Sequence, residues 1–245
     1  MKTAIIYSCF LYNQWADIVK EQLDRLLSSD YYINGGEIHI VALGMESQLL
    51  LLKLICGKHD RVTIKYFSNL KYPVEGYGFK YMYELCLKNY DYVGFVHSKG
   101  VSKQRTIPIT DWRKCMEYFV IDNAEKAIDI LHNTQYNCYG VFFDIFNKIN
   151  DNKIDDEFIN KHRVFIFPGN FFWIKCKLFL TLPEPPIVED RFFYERYLGC
   201  FLDIRPCYPF VKKYPGVGAH MTYHNPVPES EYINLEVQKY VEYCP

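Results

Sequence analysis

Four short, mostly apolar runs alternate with helical patterns over roughly the first 100 residues of this chain. Short apolar runs are typical of strands buried on both faces, and apolar residues at helical spacing between them predict covering helices. The order β-α-β-α-β-α-β therefore predicts an α/β fold with a mostly parallel central sheet flanked by helices. The predicted strands are Thr3–Cys9, Glu37–Leu43, Arg61–Phe67 and Tyr92–Val96, and the predicted helices are Asn13–Leu27, Met45–Ile55 and Gly78–Asn89.

The C-terminal half of the chain is less regular. Thr110 is a candidate cap for a helix that begins at Asp111, and Asp122-Asn-Ala-Glu125 is a capping-box pattern that precedes another helix. Because no low-complexity linker or internal repeat interrupts the sequence, residues 1–245 are predicted to form one domain. Further strands are predicted at Tyr139–Phe143, Val164–Phe167 and Gly169–Ile174, a helix at Glu189–Leu198, and a largely irregular tail from Arg205.

The composition argues against several classes of protein. A formal net charge of −1 gives no basic footprint for nucleic acid. The 9 cysteines are scattered singly without a C-x-x-C pair, which argues against a zinc ribbon or dithiol motif and predicts a reducing compartment. The first apolar run is too short for a signal peptide or membrane span, so a cytoplasmic protein is expected. The composition is biased toward Tyr, Asn, Lys and Ile, which fits a source with an AT-rich genome, either a bacterium or a large DNA virus. A viral protein of this kind would act in the cytoplasm of the host.

The fourth predicted strand runs directly into His97-Ser98-Lys99-Gly100. Ligands of open α/β sheets bind beyond the carboxyl ends of the strands, so this tetrad is a candidate site for an anion. The ammonium of Lys99 binds phosphate as a point charge, and His97 can add a second charge or a hydrogen bond. The alternative is an ordinary polar turn in which Gly100 supplies the bend.

Basic residues that follow the tetrad are secondary candidates for the same anion. Arg113 begins a predicted helix, where backbone N–H groups also favour negative charge, and Arg105 lies shortly before it. The alternative is a solvated basic face that binds no ligand.

The first strand-to-helix junction, from Tyr7 to Asn13, contains no glycine. Dinucleotide fingerprints and P-loops need glycine there for close backbone approach to phosphate, so neither is present. A nucleotide can still bind through its base and ribose, with Tyr7 or Tyr12 stacking on the base. The alternative is that these tyrosines only pack against the protein.

The segment Gly169-Asn170-Phe171-Phe172-Trp173 has the composition of a sugar-binding site. Gly169 has no side chain, so a sugar can approach the backbone closely there. The amide of Asn170 offers hydrogen-bond donors and acceptors to sugar hydroxyls, and an aromatic ring such as that of Trp173 can pack on the apolar side of a pyranose. The alternative, above all for Phe171 and Trp173, is a core strand.

Glu189 and Asp190 supply carboxylates near a predicted helix start, and Glu195 supplies one within that helix, so each can accept a proton from a group held close to it. The alternative is that they are ordinary helix-dipole partners, with Glu195 paired to the arginine four residues before it. In the proline-rich tail, His220 and His224 are candidates for contact with a diphosphate or a metal, and otherwise they are surface residues.

The order of these motifs resembles that of GT-A glycosyltransferases, and more narrowly that of a viral, bacterial and algal group of glycosyltransferases. The resemblance covers roughly residues 90–200, whereas the first 90 residues are similar only at the level of the fold. The motifs that carry it are His97-Ser98-Lys99-Gly100, Trp112-Arg113, Gly169-Asn170-Phe171-Phe172-Trp173, and Arg191 with Glu195.

This resemblance implies transfer of a sugar from a nucleotide diphosphate sugar to an acceptor hydroxyl of a glycan or glycoconjugate, with inversion favoured. It implies a nucleotide-binding half over residues 1–100 and an acceptor and catalytic half over residues 101–245. His97, Ser98, Lys99 and Arg113 would hold the donor diphosphate, Gly169, Asn170 and Trp173 the sugar or acceptor, and Glu189, Asp190 or Glu195 would act as base.

The sequence departs from the wider GT-A pattern where an Asp-x-Asp motif usually holds a divalent metal. His97 and Lys99 occupy the two positions, so we expect cationic side chains to stabilise the departing diphosphate without a metal. If Mn²⁺ or Mg²⁺ takes part, the candidate ligands are His97, His220 and His224. A different class of function stays open, namely a non-catalytic carbohydrate- or nucleotide-binding module on the same scaffold.

Overall fold

The computed structural model describes residues 1–57, 59–70, 75–101, 107–141, 144–145, 165–167, 169–190, 193–201, 204–209 and 240–242. Over these residues an 8-stranded sheet has the order β10-β9-β5-β8-β4-β1-β2-β3, and β6 and β7 form a separate 2-stranded ribbon. The strands are β1 Thr3–Phe10, β2 Glu37–Leu43, β3 Val62–Ser68, β4 Tyr92–His97, β5 Cys138–Gly140, β6 Asp144–Ile145, β7 Phe165–Ile166, β8 Phe172–Lys175, β9 Pro206–Pro209 and β10 Tyr240–Glu242.

The helices cover both faces of the sheet. α5 continues into a π-helical turn at Tyr118–Asp122, and the last helix continues into a 3₁₀ turn at Leu198–Cys200. No helix in the described ranges combines the length and the apolar character needed to cross a membrane. The helices are α1 Trp15–Ser28, α2 Asp30–Ile33, α3 Glu46–Cys56, α4 Gly76–Leu87, α5 Ile107–Glu117, α6 Ala124–Asn133, α7 Cys176–Phe179 and α8 Phe193–Tyr197.

The strand β1 shows why both faces need cover. Successive side chains of a strand point to opposite faces, so Ile5 and Tyr7 join the core beneath α1, α5 and α6, whereas Ala4 and Ile6 join the core beneath α4. β1 is parallel to both β2 and β4, and β2 is parallel to β3. The predicted α/β class with a mostly parallel central sheet is confirmed.

The second half of the chain joins this sheet through an antiparallel strand. β8 lies between β4 and β5 and is antiparallel to both of them. Phe172, the first residue of β8, pairs with Phe95 near the carboxyl end of β4. The loop at residues 169–171 therefore lies beside the end of β4, although the two segments are far apart in the sequence.

Several local predictions for the second half are wrong. The helix predicted to begin at Asp111 begins at Ile107, so Arg113 lies in its interior and not in its first turn. The predicted capping box before α6 does not form, because the carboxylate of Asp122 pairs with Arg25. The cap position is taken by Asn123, whose side chain donates to the carbonyl of Tyr118.

Two further predictions for this half are corrected. Residues 189 and 190 are irregular, and the helix there begins at Phe193. The stretch after Arg205, predicted to be largely irregular, contributes β9 and β10 to the sheet. Local signals missed them because short strands depend on pairing with distant partners.

Candidate functional site

His97 is the last residue of β4 and connects two distant motifs. Its ring nitrogen Nε2 lies 2.6 Å from the carbonyl oxygen of Gly169, which is 72 residues away in the sequence. A carbonyl oxygen only accepts, so Nε2 carries a proton and donates this hydrogen bond. The tetrad after β4 and the glycine-asparagine turn before β8 thus meet at the carboxyl edge of the sheet.

Glu75, just before α4, is the third member of this assembly. One oxygen of its carboxylate lies 3.8 Å from Nδ1 of His97, and the other accepts a hydrogen bond from Nδ2 of Asn170. Asn170 has a φ of +51°, a left-handed conformation that asparagine tolerates better than most residues, and its backbone N–H donates to the carbonyl of Phe167 at 2.9 Å. We call Glu75, His97, Gly169 and Asn170 the Glu75 cluster.

The Glu75 cluster lies just below the protein surface. Asn170 is 2% exposed and His97 is 8% exposed. The side chain of Glu75 is 15% exposed, which makes it more accessible than that of His97 at 10%. Buried polar groups need partners, and each of these side chains has one within the cluster. The amide of Asn170 is therefore engaged by the protein on its donor side.

Ser98 joins the ends of the two central strands. Its side-chain oxygen accepts a hydrogen bond from the backbone N–H of Phe10 at 2.8 Å. Its own N–H donates to the carbonyl of Ser8 at 3.0 Å. Because the side chain is buried and used in this way, Ser98 fixes the geometry from which the next residue leaves the sheet.

Lys99 is the half-buried cation of the tetrad. Its ammonium lies 4.2 Å from the centre of the Trp112 ring, which α5 holds in the core. Such cation–π contacts contribute about 0.5–2 kcal/mol and fix the position of the ammonium. Gly100, with a φ of +96°, then turns the chain in a conformation that favours glycine. A positive charge is thus held at the carboxyl edge, next to the Glu75 cluster.

Arg113 lies in a buried group of charges between α1 and α5. It is 1% exposed, and its guanidinium lies 2.9 Å from Glu21 and 3.5 Å from Glu117. Glu117 also lies 3.3 Å from Arg25. Burial raises the pKa of Glu117, and the charges of Arg113 and Arg25 oppose that rise. The guanidinium of Arg113 is therefore engaged by carboxylates of the protein.

The two tyrosines of the first junction lie in different environments. Tyr7 is fully buried and donates a 2.7 Å hydrogen bond to Gln22, whose amide donates to the carbonyl of His97 at 3.2 Å. Burial raises the pKa of Tyr7 well above its usual value. Tyr12 is 44% exposed and stacks on Phe10 with ring centres 5.5 Å apart. Only Tyr12 of this pair offers ring surface to a nucleobase.

Trp173 lies inside the protein. Its indole N–H donates to the carbonyl of Val120 at 2.9 Å, and a Cβ added to Gly94 on the neighbouring strand would lie 2.8 Å from its ring. The side chain is fully buried, so it presents no ring face to a sugar. The aromatic segment from Phe171 to Trp173 thus forms core, and the turn before it, Gly169 and Asn170, forms the site.

The acidic candidates lie on a segment that packs next to Glu75. Glu189 and Asp190 are exposed, Asp190 lies 3.4 Å from Arg196, and Glu195 is half-buried in α8. Tyr194 of the same helix donates to the carbonyl of Pro186 at 2.8 Å and accepts from the N–H of Val188 at 3.0 Å.

Tyr194 packs against α4, the helix that begins just after Glu75, with its ring centre 5.2 Å from that of Phe79. Burial raises the pKa of Tyr194, and the charge of Glu75 adds to that rise. Through its bonds to Pro186 and Val188, Tyr194 therefore holds the chain that leads to Glu189 and Asp190 beside the start of α4. Arg105, Arg191, His220 and His224 lie outside the described residues.

The side chains at this edge that could ligate a metal are engaged by groups of the protein. No group of three or more His, Cys, Asp or Glu side chains that could hold a metal occurs among the described residues. The carboxylate of Glu75 is engaged by an imidazole and an amide, and His97 uses Nε2 as a donor.

Glu75 is the member of the cluster that sequence reasoning missed. The helix after β3 was predicted to begin at Gly78, which left Glu75 in an unassigned loop, whereas α4 begins at Gly76. The topology contains the missing signal. A helix that follows a parallel strand starts at the carboxyl edge, so a side chain immediately before α4 lies at the edge where ligands bind.

Comparisons with solved structures find several proteins to which this chain is distantly similar. No protein-family model and no curated protein matches the sequence. A mannosyltransferase from Pyrobaculum calidifontis, solved with GDP-Man and Mn²⁺, is 14% identical over 72% of this chain and 45% of its own, with a TM-score of 0.42. This chain thus spans less than half of that protein.

Two further structures are similar to about the same extent. A cytidylyltransferase from Leptospira borgpetersenii is 13% identical over 80% of this chain and 68% of its own, with a TM-score of 0.42. A 4-diphosphocytidyl-2C-methyl-D-erythritol synthase from Anaerococcus prevotii is 12% identical over 91% and 92%, with a TM-score of 0.45. At these identities and TM-scores the similarities assign no family, so the function is argued from the residues of the site.

Proposed function

We propose that this chain is a glycosyltransferase that moves a sugar from a nucleotide diphosphate sugar to an acceptor hydroxyl. The observation that carries the proposal is the hydrogen bond from His97 to Gly169, which brings the tetrad and the glycine-asparagine turn to one edge of the sheet. Lys99 extends from the same edge. A cation beside a polar turn at the carboxyl ends of parallel strands suits a phosphate-linked sugar.

Lys99 is the side chain proposed to hold the donor diphosphate. Its ammonium is held on the Trp112 ring at 4.2 Å, and an ammonium has three donors that can turn toward phosphate oxygens. Stabilising the negative charge that develops on the leaving diphosphate is commonly the largest single term in such catalysis, about 3–4 kcal/mol per well-placed donor. His97 and Ser98 support Lys99 by fixing the end of β4.

Tyr12 is proposed to stack on the nucleobase, since it is the exposed tyrosine of the first junction. The acceptor would approach from the side of α8 and the chain just before it, where Glu189 and Asp190 are exposed and Glu195 is half-buried. One of these carboxylates would take the proton of the acceptor hydroxyl, which requires contact within about 3 Å in the complex. A single base on the face opposite the leaving group favours inversion.

The experiment that tests the proposal is a panel of UDP-, GDP-, CMP- and dTDP-sugars, with release of nucleotide measured in the presence of EDTA and after addition of Mn²⁺. We expect turnover that survives EDTA, because Lys99 supplies the charge that a metal would supply elsewhere. Loss of turnover in EDTA with recovery in Mn²⁺ would contradict the metal-free form of the proposal. Nucleotide or glycan binding without release at any enzyme concentration would assign the chain to the class of binding modules.

The role of Lys99 is tested by Lys99→Met, with Lys53→Met on the exposed face of α3 as the matched control. We expect Lys99→Met to lower kcat/KM for the donor by about 100-fold or more, the usual loss on removing one such donor. The control should retain wild-type kinetics. Equal kinetics for the two variants would remove Lys99 from the diphosphate site.

A further inference from the structure

The two oxygens of Glu75 are directed at two different segments of the chain. One faces Nδ1 of His97 at the end of β4, and the other accepts from the amide of Asn170 in the turn before β8. Charged acceptors of this kind make stronger hydrogen bonds than neutral ones. A single carboxylate therefore links α4, β4 and the turn before β8.

The turn that Glu75 holds has an unusual backbone. Gly169 has a φ of +96° and Asn170 a φ of +51°, so two successive residues lie in the left-handed region. A Cβ added to Gly169 would lie 2.7 Å from the sulfur of Met116, so the turn is also closely packed. Backbone conformations of this kind persist only where surrounding contacts hold them, and they cluster at functional sites.

The rest of the turn is held by contacts that do not involve Glu75. The carbonyl of Gly169 accepts from His97, and the N–H of Asn170 donates to Phe167. The ring of Phe171 packs against the imidazole of His97, with ring centres 5.4 Å apart. Loss of Glu75 would leave these contacts in place but free the Asn170 amide and one side of the His97 ring.

We propose that Glu75 is a positioning residue: its carboxylate holds the Asn170 amide and the His97 ring, and so fixes the turn at residues 169–170 against the segment that presents Lys99. The nature of the ligand rests on the proposed function, whereas the positioning role does not. Glu75 acts through other residues, since its oxygens are directed at protein groups. Its effect on a ligand is geometric, through the placement of the turn.

Two substitutions separate the two contacts of Glu75. Glu75→Gln retains an oxygen that accepts from Asn170 but loses the charge that faces His97. Glu75→Ala loses both contacts. The matched control is Glu84→Gln, which removes a carboxylate from the exposed side of the same helix.

The first measurement is the NMR signal of the Asn170 side-chain amide, assigned by its loss in Asn170→Asp. The protons of a hydrogen-bonded side-chain amide are shifted in the NMR spectrum and protected from exchange. We expect this shift and protection to be retained in Glu75→Gln and Glu84→Gln and to be lost in Glu75→Ala. An unchanged Asn170 signal in Glu75→Ala would overturn the proposal. This readout needs no substrate, so it stands whether or not the chain transfers sugar.

The second measurement is the affinity of the same variants for UDP and GDP. Positioning predicts that Glu75→Ala binds its preferred nucleotide about 10–100-fold more weakly, because a small misplacement of binding groups has effects of that size. Glu75→Gln should stay close to wild type. If Glu75 acted only as a negative charge beside an anion site, both variants would bind more tightly, and that result would overturn the proposal.

Thermal unfolding distinguishes positioning from a general loss of structure. We expect Glu75→Ala to keep a cooperative transition, since the cluster lies at the sheet edge and its removal leaves no large cavity. If Glu75→Ala fails to fold, the comparison of Glu75→Gln with Asn170→Gly takes its place, because Gly accepts the φ of +51° but lacks the amide. Equal nucleotide affinity of Asn170→Gly and wild type would then overturn the proposal.

Discussion

The strands β1–β4 and the strands β8, β5, β9 and β10 form two regions of one sheet that are assembled in different ways. Within the first region all neighbouring strands are parallel, and each strand is followed by a helix that packs on the sheet. In the second region β8 lies between β4 and β5 and runs against both. The first region can therefore be specified by the pattern of apolar residues along the sequence, whereas the second depends on pairing between strands that are far apart in the sequence.

The candidate site lies where the two regions meet. We call the β4–β8 pairing, together with the buried ion pairs between α1 and α5, the seam. His97 belongs to the first region and Gly169 to the second, and their hydrogen bond crosses the seam at the carboxyl edge. If this comparison is right, variants at the seam should lose more stability than variants within the first region.

The largest effect is expected for Arg113→Met, which removes one partner from the buried ion pairs of the seam. Leaving Glu117 with Arg25 as its ion-pair partner should cost about 3–5 kcal/mol of unfolding free energy, measured by urea denaturation. The double variant Arg113→Met with Glu117→Gln should recover part of the loss, because no buried carboxylate is then left with too little positive charge. Unchanged stability with lost nucleotide binding would return Arg113 to the diphosphate site.

The same pair predicts a pH dependence. Burial already raises the pKa of Glu117, and removal of Arg113 should raise it further. An acid whose pKa is raised in the folded state loses stability as pH rises through that folded pKa. The loss caused by Arg113→Met should therefore be larger at pH 8 than at pH 5. A loss of equal size at both values would contradict the assignment of the effect to Glu117.

Gly94→Ala tests the seam at the β4–β8 pairing. A Cβ at this position would lie 2.8 Å from the Trp173 ring, which is held by its bond to Val120. Overpacking of this kind typically costs 1–3 kcal/mol, and we expect about 3 here. Trp173→Leu makes room for the methyl group. The double variant should therefore lose less unfolding free energy than the two single variants lose in total. Strict additivity would show that the two side chains do not meet.

His39 provides a smaller effect that is confined to the first region. Its ring nitrogens contact Glu37 at 2.9 Å and the hydroxyl of Tyr81 at 3.1 Å. Burial lowers the pKa of His39 to about 4, and the charge of Lys65 adds to this. A histidine with a lowered pKa takes up its proton more readily in the unfolded chain, so stability is lost as pH falls from about 6.5 toward 4.

The measurement for His39 is unfolding free energy at pH 7 and pH 5. The wild type should lose about 2 kcal/mol between these values through this residue, and His39→Gln should lack that part of the loss. His132→Gln, at an exposed position, is the control and should retain the wild-type difference. The same pH difference in His39→Gln and wild type would show that other groups cause it.

The smallest effect is expected for Leu54→Gln on α3, where the side chain is 77% exposed. A surface substitution of this kind usually changes stability by less than about 0.5 kcal/mol. A loss above about 1 kcal/mol in urea denaturation would show that this part of the first region is covered in solution, and it would weaken the contrast with the seam.

The sequence predicted the first region because its signals are local. β4 was predicted from Tyr92 to Val96, and the structure extends it by His97. The helix at Asn13–Leu27 was found as Trp15–Ser28. Two residues show where such reasoning stops. Trp173 and Arg113 have the chemistry of ligand-binding residues, and nothing local distinguishes them from core residues until their neighbours are known.

The amino-acid sequence by itself determined the α/β class, the positions of the first four strands, and a cation at the carboxyl end of β4. These depend on apolar periodicity and on residues that follow one another in the chain. Only the tertiary structure decided that His97, Gly169 and Asn170 meet, that Glu75 joins them, and that Arg113 is buried beside Glu21 and Glu117. The physical reason is that a buried polar group needs a hydrogen-bond partner, and the partners of these groups lie in segments that are far apart in the sequence.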